Sequence, residues 1–389
     1  MFNETVLGEV LDFYNGKAIK PGGEGQYPAY GSNGIIGRCD DHRYEDGIII
    51  GRVGAYCGSV AYCKGRFWAS DNTIIAKPKH KDGSTRFFAY MLLAMNLNRH
   101  AGGAAQPLVT QSTLKAVPAT VPDPATQDRI ASILSAYDDL IENNTRRIAI
   151  LEEMARRIYE EWFVRFRFPG HEGMRMLESE LGLVPEGWRS LPLAAFGDVI
   201  TGKTPSKANP GFYGTVVPFL KTPDMHGNLF ILATGECLSR EGADSQRNKT
   251  VPARSLCVSC IGTIGVVSIT TEPCQTNQQI NSLVPGDAAT LEFLYFRLKD
   301  SKKTLENLGA NGATMGNVNK SKFEALSVLT PTRDLLKAFH AEVAPMFGLI
   351  QALDRKNVNL RATRDLLLPK LLSGELDVSA LPEPEALAA

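Results

Sequence analysis

Two long stretches of the chain carry mainly apolar residues at alternating steps of four and three. In the first stretch the positions are Ile130, Leu134, Tyr137, Ile141, Asn144, Ile148, Leu151, Ala155, Ile158 and Trp162. In the second they are Phe339, Val343, Met346, Ile350, Leu353, Asn357, Leu360, Arg364, Leu367 and Leu371. This spacing is typical of the contact line between helices in a coiled coil. The pattern therefore predicts two long, matched helices.

Capping residues bound both predicted helices, which occupy residues 122–170 and 331–374. Asp123-Pro124 and Thr330-Pro331 each place a side-chain oxygen before a proline, which favours a helix start because the first helical N–H has no intrahelical partner to lose. Gly170 and Gly374 mark the ends. The stretch from Ile130 to Trp162 alone would be on the order of 50 Å long at about 1.5 Å per residue.

The two predicted helices are expected to pair with each other in opposite directions. With full overlap, the polar seam positions fall into two facing pairs, Asn144 with Asn357 and Tyr137 with Arg364. A buried asparagine pair satisfies both amides and penalises a shifted register. The alternative is two unrelated core helices. Pro345 and Pro369 favour that alternative, because proline should kink the second helix or disturb its last turn.

The rest of the chain has the texture of two globular domains. Residues 1–121 and 188–330 contain short β-branched runs separated by glycine-containing turns, which predict strands, and each has one helical segment, at 87–97 and 291–298. A connector is expected at 171–187 and a tail at 375–389. The predicted fold class is α+β: two tandem mixed α/β domains separated by two long antiparallel coiled-coil helices, with pseudo-twofold symmetry.

The two domains also repeat short sequence runs. Arg52-Val53-Gly54 and Gly58-Ser59-Val60 align with Cys260-Ile261-Gly262 and Gly265-Val266-Val267, 102–106 aligns loosely with 309–314, and 114–122 aligns with 323–331. Two copies predict a pseudo-twofold object, because a solenoid needs at least three repeats.

Charge and cysteine content narrow the class of protein. The 42 Lys and Arg residues balance the 42 Asp and Glu residues, so a nucleic-acid partner would require a local basic surface or a second protein. Seven irregularly spaced cysteines favour reduced thiols in a cytoplasm. We expect neither a signal peptide nor a membrane span, because no basic start precedes an apolar run and no apolar run approaches about 20 residues.

Several short runs, each weak alone, together carry a family resemblance. They are 127–130, 140–144 continuing to Phe163, 185–188 (Pro-Glu-Gly-Trp), 202–206 (Gly-Lys-Thr-Pro-Ser), 218–222, 276–281 and 367–374. In this combination the chain resembles the specificity subunit of type I restriction-modification systems over essentially its whole length. The first half departs from the pattern at Gly16-Lys17, where Ala18 stands in the place of Thr204.

The resemblance implies a function. In that family each globular domain is a target recognition domain for one half of a split double-stranded DNA sequence, and the helices hold the two domains at a fixed separation. The resemblance further implies that methylation subunits carrying S-adenosylmethionine dock on the helices, and that an ATP-driven restriction and translocase subunit joins for cleavage. The chain itself would be non-catalytic and would need no cofactor of its own.

Other motifs are weaker. Residues 197–204 satisfy the phosphate-loop pattern, but β-branched Val199 and Ile200 fill the loop and Pro205 follows where a helix should run, so ATP binding is not expected. Cys257 and Cys260 lack a second pair at zinc-site spacing, so buried free thiols are expected instead of a metal site.

Candidate DNA contacts are polar, basic and aromatic residues in loops and strand turns. In the first domain they are Asn33, Arg52, Tyr56, Lys64, Arg66 and Trp68, and in the second they are Lys203, Thr204, Lys207, Lys221, Thr222, Asn277 and Gln278. Arg suits guanine and Asn or Gln suits adenine, whereas Lys and Thr suit phosphates. For each residue singly, a solvated surface position is the stronger alternative, and Trp68 is also compatible with the core.

Two other functions compete with DNA specificity. A non-catalytic coiled-coil scaffold would assemble partners without sequence-selective DNA binding. An enzyme that uses the loop 197–204 would turn over a nucleotide. Salt-dependent, sequence-selective duplex binding would separate the DNA-specificity hypothesis from both alternatives.

Overall fold

A computed structural model describes residues 2–22, 24–103, 107–179, 182–310 and 316–379. The chain divides into two compact units: unit 1 is Met1–Asn143 with Asn357–Ala389, and unit 2 is Asn144–Lys356. Three predicted segments lie partly outside the described residues. They are the aligned pair 102–106 and 309–314, the connector 171–187 and the tail 375–389. Each long helix contributes to both units.

The first segment of unit 1 contains all eight of its described strands and ends in the first part of the long helix α4. Its elements are β1 (Phe2–Val6), α1 (Leu7–Val10), β2 (Leu11–Asn15), β3 (Tyr27–Gly31), β4 (Gly34–Cys39), β5 (Tyr44–Gly51), β6 (Val60–Ala69), β7 (Thr73–Pro78), α2 (Thr85–Ala94), α3 (Gln111–Lys115), β8 (Pro118–Pro122) and α4 (Pro124–Tyr159).

Unit 2 contains shorter and more numerous strands. Its elements are β9 (Met176–Ser179), β10 (Gly182–Pro185), β11 (Arg189–Pro192), β12 (Gly197–Thr201), β13 (Tyr213–Gly214), β14 (Val217–Leu220), α5 (Thr222–Met225), β15 (Phe230–Ile231), β16 (Cys237–Leu238), α6 (Arg240–Asp244), β17 (Thr250–Val251), β18 (Leu256–Ser259), β19 (Val267–Thr270), β20 (Cys274–Thr276), β21 (Ile280–Pro285), α7 (Leu291–Asp300), α8 (Lys302–Gly309), α9 (Lys320–Glu324), β22 (Ser327–Thr330) and α10 (Arg333–Ser373).

The main sheet of unit 1 has six strands in the order β2-β7-β5-β6-β3-β4, in which only β3 and β6 pair in parallel. Strands β1 and β8 form a separate antiparallel pair. Central strand β5 carries the run 48–50 of three isoleucines, each at most 2% exposed, because this strand is covered on both faces. Helix α2 buries Phe87 and Leu92 in the same core. The predicted strands 47–51 and 72–76 and the helix 87–97 correspond to β5, β7 and α2.

The two units share a set of backbone hydrogen bonds around a glycine-containing loop, 51–60 in unit 1 and 259–267 in unit 2. In unit 1 the bonds, donor first, are Gly51 N to Ser59 O (2.9 Å), Arg52 N to Asn72 O (2.9 Å) and Val109 N to Arg52 O (3.0 Å). In unit 2 the corresponding bonds, in the same order, are Ser259 N to Val266 O (3.0 Å), Cys260 N to Gln279 O (2.7 Å) and Val318 N to Cys260 O (2.9 Å). Gly58 and Gly265 have φ angles of 83° and 86°, which favour glycine. These loops therefore correspond as the sequence alignment predicts.

Unit 2 has two five-stranded sheets, ordered β12-β21-β18-β19-β15 and β13-β16-β14-β20-β17, and its other four described strands pair as β9 with β10 and β11 with β22. The aligned loops match the continuous strand β6 with the positions 267–276, which form two separate strands, β19 and β20. Pro273 lies in the break and corresponds to Arg66. Since proline has no N–H to donate, it disfavours a continuous central strand here, and the six-stranded sheet of unit 1 corresponds to the two five-stranded sheets of unit 2.

In unit 1, polar contacts fix helix α2 against segments of both long helices. The Asp138 carboxylate of α4 accepts a hydrogen bond from Tyr90 of α2 and another from Arg364 of α10, the latter at 2.5 Å. Arg86 of α2 binds Asp139 at 2.8 Å. The predicted register places Tyr137 opposite Arg364, and Asp138 is the next residue along the same helix. Burial raises the pKa of Tyr90, so the phenol remains a hydrogen-bond donor.

In unit 2, a fully buried carboxylate on the domain helix α7 fixes that helix against the long helix α10. Glu292 of α7 is 0% exposed, and its oxygens lie 2.6 Å from His340 Nδ1 of α10 and 3.2 Å from an Arg254 nitrogen. Next to His340 along α10, Phe339 belongs to an aromatic cluster: its ring centroid is 4.8 Å from that of Phe163 and 5.8 Å from that of Trp162. Trp162 and Phe339 are opposite each other in the predicted seam register.

The ends of the long helices differ in part from the predictions. Asp123 caps α4 as expected, because its Oδ1 accepts the Thr126 N–H at 3.0 Å. The predicted end at Gly170 is wrong: a wide helical turn at Glu160–Val164 finishes the helix, and Phe166 then has a left-handed φ of 58°. A helix cannot continue through that conformation.

The predicted cap of the second helix is also wrong. The Thr330 hydroxyl donates to Val328 O at 2.9 Å, because Thr330 ends β22. Helix α10 starts at Arg333 and continues through Pro345 and Pro369 to Ser373, where Gly374 has a φ of 77° and ends it as predicted. Asn144 and Asn357 are each 3% exposed. Among the described residues, no helix is both long enough and apolar enough to span a bilayer.

Candidate nucleic-acid interface

Three of the stretches that carry the family resemblance meet in unit 2 at a turn formed by Gly202 and Lys203. The backbone bonds, donor first, are Gly202 N to Ile280 O (3.0 Å), Lys203 N to Thr276 O (2.9 Å) and Asn277 N to Leu220 O (3.1 Å). These bonds bring 202–206, 218–222 and 276–281 side by side. Sequence spacing alone did not show that these three separate runs form one surface.

Four of the predicted contact residues in this surface are accessible to a ligand. Lys203, Lys207 and Gln278 are exposed, and Thr204 is half-buried. The Thr204 hydroxyl donates to Gln278 Oε1 at 2.5 Å, which leaves the Gln278 amide nitrogen as a hydrogen-bond donor. The group therefore offers two ammonium groups and an amide, a combination suited to phosphates and base edges.

Of the other three predicted residues of unit 2, Lys221 and Asn277 bind groups within the protein, and Thr222 is buried with no hydrogen-bond partner for its hydroxyl among the described residues. Lys221 forms an ion pair with Glu236 and lies 5.8 Å from the centre of the Phe219 ring. Thr222 is 7% exposed and Asn277 is 8% exposed, and the Asn277 amide donates to a neighbouring glutamine oxygen at 3.0 Å. These side chains shape the surface from below more than they present groups to a ligand. Their role in DNA contact stays a prediction.

Unit 1 contains the same turn, formed by Gly16 and Lys17. The corresponding bonds, donor first, are Gly16 N to Thr73 O (3.0 Å), Lys17 N to Ala69 O (2.9 Å) and Ser70 N to Tyr30 O (2.8 Å). Lys17 is exposed, although the sequence did not single it out as a DNA contact. The available signal was the dipeptide Gly-Lys in both halves, which the change from Thr204 to Ala18 obscured. We call Gly16-Lys17 and Gly202-Lys203 the Gly-Lys turns.

Three predicted residues of unit 1 lie on segments that meet next to this turn. The Asn72 carbonyl oxygen accepts hydrogen bonds from Ser32 Oγ at 2.6 Å and from Arg52 N at 2.9 Å, so the turn that carries Asn33 lies beside Arg52. Asn33 is exposed and Arg52 is half-buried. Tyr56 is 59% exposed in the adjoining loop. Together they form a polar and aromatic surface.

The remaining predictions in unit 1 fall on strand β6. Lys64 is exposed, and Arg66 is exposed with its Nε 3.5 Å from a Glu45 carboxylate oxygen. Trp68 is half-buried, and its Nε1 donates to the Lys17 carbonyl oxygen at 2.8 Å. The structure therefore gives Trp68 a role in positioning the Gly-Lys turn.

The weaker sequence motifs correspond to structural elements. Residues Gly197–Thr201, the core of the phosphate-loop pattern, form strand β12 and pair with β21, so their N–H groups are not arranged as a phosphate cradle. Burial raises the pKa of the Cys257 thiol to about 12 and that of Cys260 to about 11, which keeps both thiols protonated and disfavours metal binding. The described residues contain no cluster of three or more potential metal ligands.

Comparison with known proteins identifies the family. Residues 2–153 and 185–334 match the family described as the type I restriction modification DNA specificity domain. The chain belongs to this family. Membership assigns it a role in the DNA sequence specificity of a type I restriction-modification system, and this role is non-catalytic. The two matches also agree with the repeated α+β domains.

Relatives support the assignment. The type I restriction enzyme HindI specificity subunit of Haemophilus influenzae is 35% identical over 327 residues, covering 69% of this chain and 71% of that protein. The MjaIX specificity subunit of Methanocaldococcus jannaschii is 26% identical over 357 residues, covering 89% and 81%. The crystal structure of the type I system S subunit from M. genitalium has a TM-score of 0.68 at 15% identity over 96% of both chains, which shows the fold.

Proposed function

We propose that this specificity-family chain recognises a bipartite double-stranded DNA target, with residues 1–121 contacting one half and residues 188–330 contacting the other. The observation that carries the proposal is the repeated frame: each half presents an exposed lysine on a Gly-Lys turn beside polar side chains that differ between the halves. A repeated frame with different side chains suits two half-sites of different sequence.

The long helices, in this proposal, form an antiparallel coiled coil with pseudo-twofold symmetry and set the spacing between the half-sites. Contacts within each unit support an antiparallel arrangement: Asp138 binds Arg364 in unit 1, and Trp162 packs on Phe339 in unit 2. The 36 residues of α4 span about 54 Å at about 1.5 Å per residue, which exceeds the ~34 Å of one duplex turn.

The proposed partners are methylation subunits carrying S-adenosylmethionine and a restriction and translocase subunit, in the cytoplasm, where the chromosome is accessible. Ile150 and Met154 support a docking surface on α4, since they are one helical turn apart and 59% and 46% exposed. Replacing both with lysine should abolish co-purification with the methylation subunit. Replacing the exposed Asp128 with lysine, far from Ile150 along the same helix, provides a charge-matched control.

The proposal is tested by exchanging residues 1–121 for those of a specificity subunit with a different target. The chain and its methylation subunit are then assayed for binding to duplexes that vary in either half-site. We expect the preference to change in one half only. A change in both halves would show that the domains are not independent. An absence of sequence-selective binding by the unmodified complex would favour the scaffold alternative.

A further inference from the structure

The Gly-Lys turns are held identically at two atoms of each lysine. Lys17 N and Lys203 N each donate to a backbone carbonyl oxygen at 2.9 Å. Their own carbonyl oxygens accept from a side chain, Trp68 Nε1 at 2.8 Å in unit 1 and Gln246 Nε2 at 2.9 Å in unit 2. Different side chains therefore produce the same restraint, and in both units the exposed lysine starts from a fixed backbone.

The glycine before each lysine is required by close packing. A Cβ atom on Gly16 would overlap the Ser70 carbonyl oxygen, and one on Gly202 would overlap the Asn277 carbonyl oxygen. In each case the obstacle is backbone, which cannot rotate away as a side chain can. The turn therefore packs tightly against the backbone of an adjacent segment of the same protein. This packing, together with the backbone hydrogen bonds, determines the position of the lysine.

The side chains around the two turns differ. Ala18 follows Lys17 where Thr204 follows Lys203, and Arg52 corresponds to Cys260, which is 1% exposed. Arg66 corresponds to Pro273. Residues that differ between the units can distinguish one base sequence from another, whereas a residue held identically in both can recognise only what both half-sites share. The sugar-phosphate backbone is the part of DNA that every sequence has in common.

We infer that Lys17 and Lys203 are matched phosphate contacts that anchor each unit on the DNA backbone without contributing to sequence choice. Lysine is a compact point charge on a flexible stem, well suited to a phosphate oxygen and poorly suited to the paired hydrogen bonds of base recognition. The inference rests on the proposed function. It assigns Lys17 to the interface for the first time and separates Lys203 from the residues that select bases.

The test uses the complex of the full chain with its methylation subunits and two duplexes, one cognate and one unrelated. Lys17→Gln and Lys203→Gln are compared singly and together across a series of salt concentrations. Each substitution should reduce the slope of log affinity against log salt by about 1 and weaken binding to both duplexes by the same factor. Lys303→Gln, at an exposed lysine on α8, is the control and should leave the slope unchanged.

The outcomes distinguish the inference from the function on which it rests. If either Gly-Lys variant changes the ratio of cognate to unrelated affinity, or leaves the salt slope unchanged, the phosphate assignment is wrong while the proposed function stands. If the unmodified complex does not discriminate between the duplexes, both fail. Since both lysines are exposed, unchanged thermal unfolding of the variants would exclude misfolding as the cause.

Discussion

Unit 1 carries its Gly-Lys turn on one six-stranded sheet, whereas unit 2 carries it where two five-stranded sheets meet. In unit 2, Gly202 binds the start of β21 in one sheet and Lys203 binds the end of β20 in the other. The backbone bonds around the turn are nevertheless the same in both units. The difference shows that the frame tolerates a broken strand, because the bonds that hold the turn lie at strand ends and not within the ladder.

A second difference concerns how each unit fixes its helix on the long helices. Unit 2 uses a fully buried carboxylate, Glu292, on the domain helix α7, while unit 1 uses Asp138 on the long helix α4, whose side chain is 31% exposed. In unit 1 the domain helix α2 donates a hydrogen bond to the carboxylate on the long helix, whereas in unit 2 the long helix α10 carries the donor and the domain helix carries the carboxylate. The direction of the hydrogen bond is therefore reversed, and the carboxylate is much more buried in unit 2.

The largest expected loss of folding stability tests the difference in burial between Glu292 and Asp138. Glu292→Gln should lower the free energy of unfolding by about 3–5 kcal/mol, because a buried ionic contact is broken and its partners lose their counter-charge. Asp138→Asn should cost only about 1–2 kcal/mol, because water partly replaces the lost bonds. Urea unfolding of the two variants measures both values. Equal losses would mean that burial does not distinguish the two contacts.

The next effect concerns the Gly-Lys turns. Gly16→Ala and Gly202→Ala should each destabilise the chain by roughly 3 kcal/mol, because the added methyl group meets a backbone carbonyl oxygen and the frame must shift. Gly65→Ala is the matched control, since a Cβ there meets nothing within 4 Å. The measurement is thermal unfolding of all three variants. If the turn variants are as stable as the control, the turns are not tightly held.

A smaller effect is expected from the side chains that hold the lysine carbonyls. Gln246→Leu should cost about 1–3 kcal/mol, because Gln246 is 4% exposed and also binds buried Gln275 at 2.9 Å. Trp68→Phe keeps most of the ring and should cost about 0.5–1.5 kcal/mol, because water can reach this half-buried site. Chemical unfolding measures the difference. A larger loss of stability for Trp68→Phe than for Gln246→Leu would contradict this prediction.

The smallest effect is a pH dependence at the start of α4. The Thr126 N–H bond lowers the pKa of Asp123 to about 2, below its ordinary value of about 4. The cap therefore stabilises the folded chain fully above pH ~4, and this contribution is lost as the pH falls toward 2. Asp123→Asn should retain stability at pH 7, since asparagine also caps helices, and should reduce the loss between pH 4 and 2.

The control for that prediction lies at the start of α10. Asp334→Asn changes an exposed carboxylate in the first turn of the second long helix without removing the Asp123 cap. Unfolding midpoints are compared at pH 7, 4 and 3. An acid dependence that is the same in Asp123→Asn and the unmodified chain would contradict the assignment.

Much of the architecture was predictable because it depends on local patterns. The long helices follow from their apolar spacing, and Asp123 and Gly374 follow from capping chemistry. The end of the first long helix at Val164 and the start of α10 at Arg333 were not predictable, because they depend on the left-handed backbone of Phe166 and on the place of Thr330 in β22. The candidate site was only partly predictable: Lys203 and Asn33 lie in accessible turns, whereas Thr222 and Asn277 are largely buried.

The sequence by itself determined that the chain has two similar halves, two long helices and the family motifs, since periodicity, glycine positions and short runs are local properties. Only the tertiary structure decided that 202–206, 218–222 and 276–281 form one surface and that the same backbone hydrogen bonds hold Lys17 and Lys203. These facts depend on backbone hydrogen bonds between residues far apart along the chain, such as Lys203 N to Thr276 O. No one-dimensional pattern records which distant carbonyl a given N–H will meet.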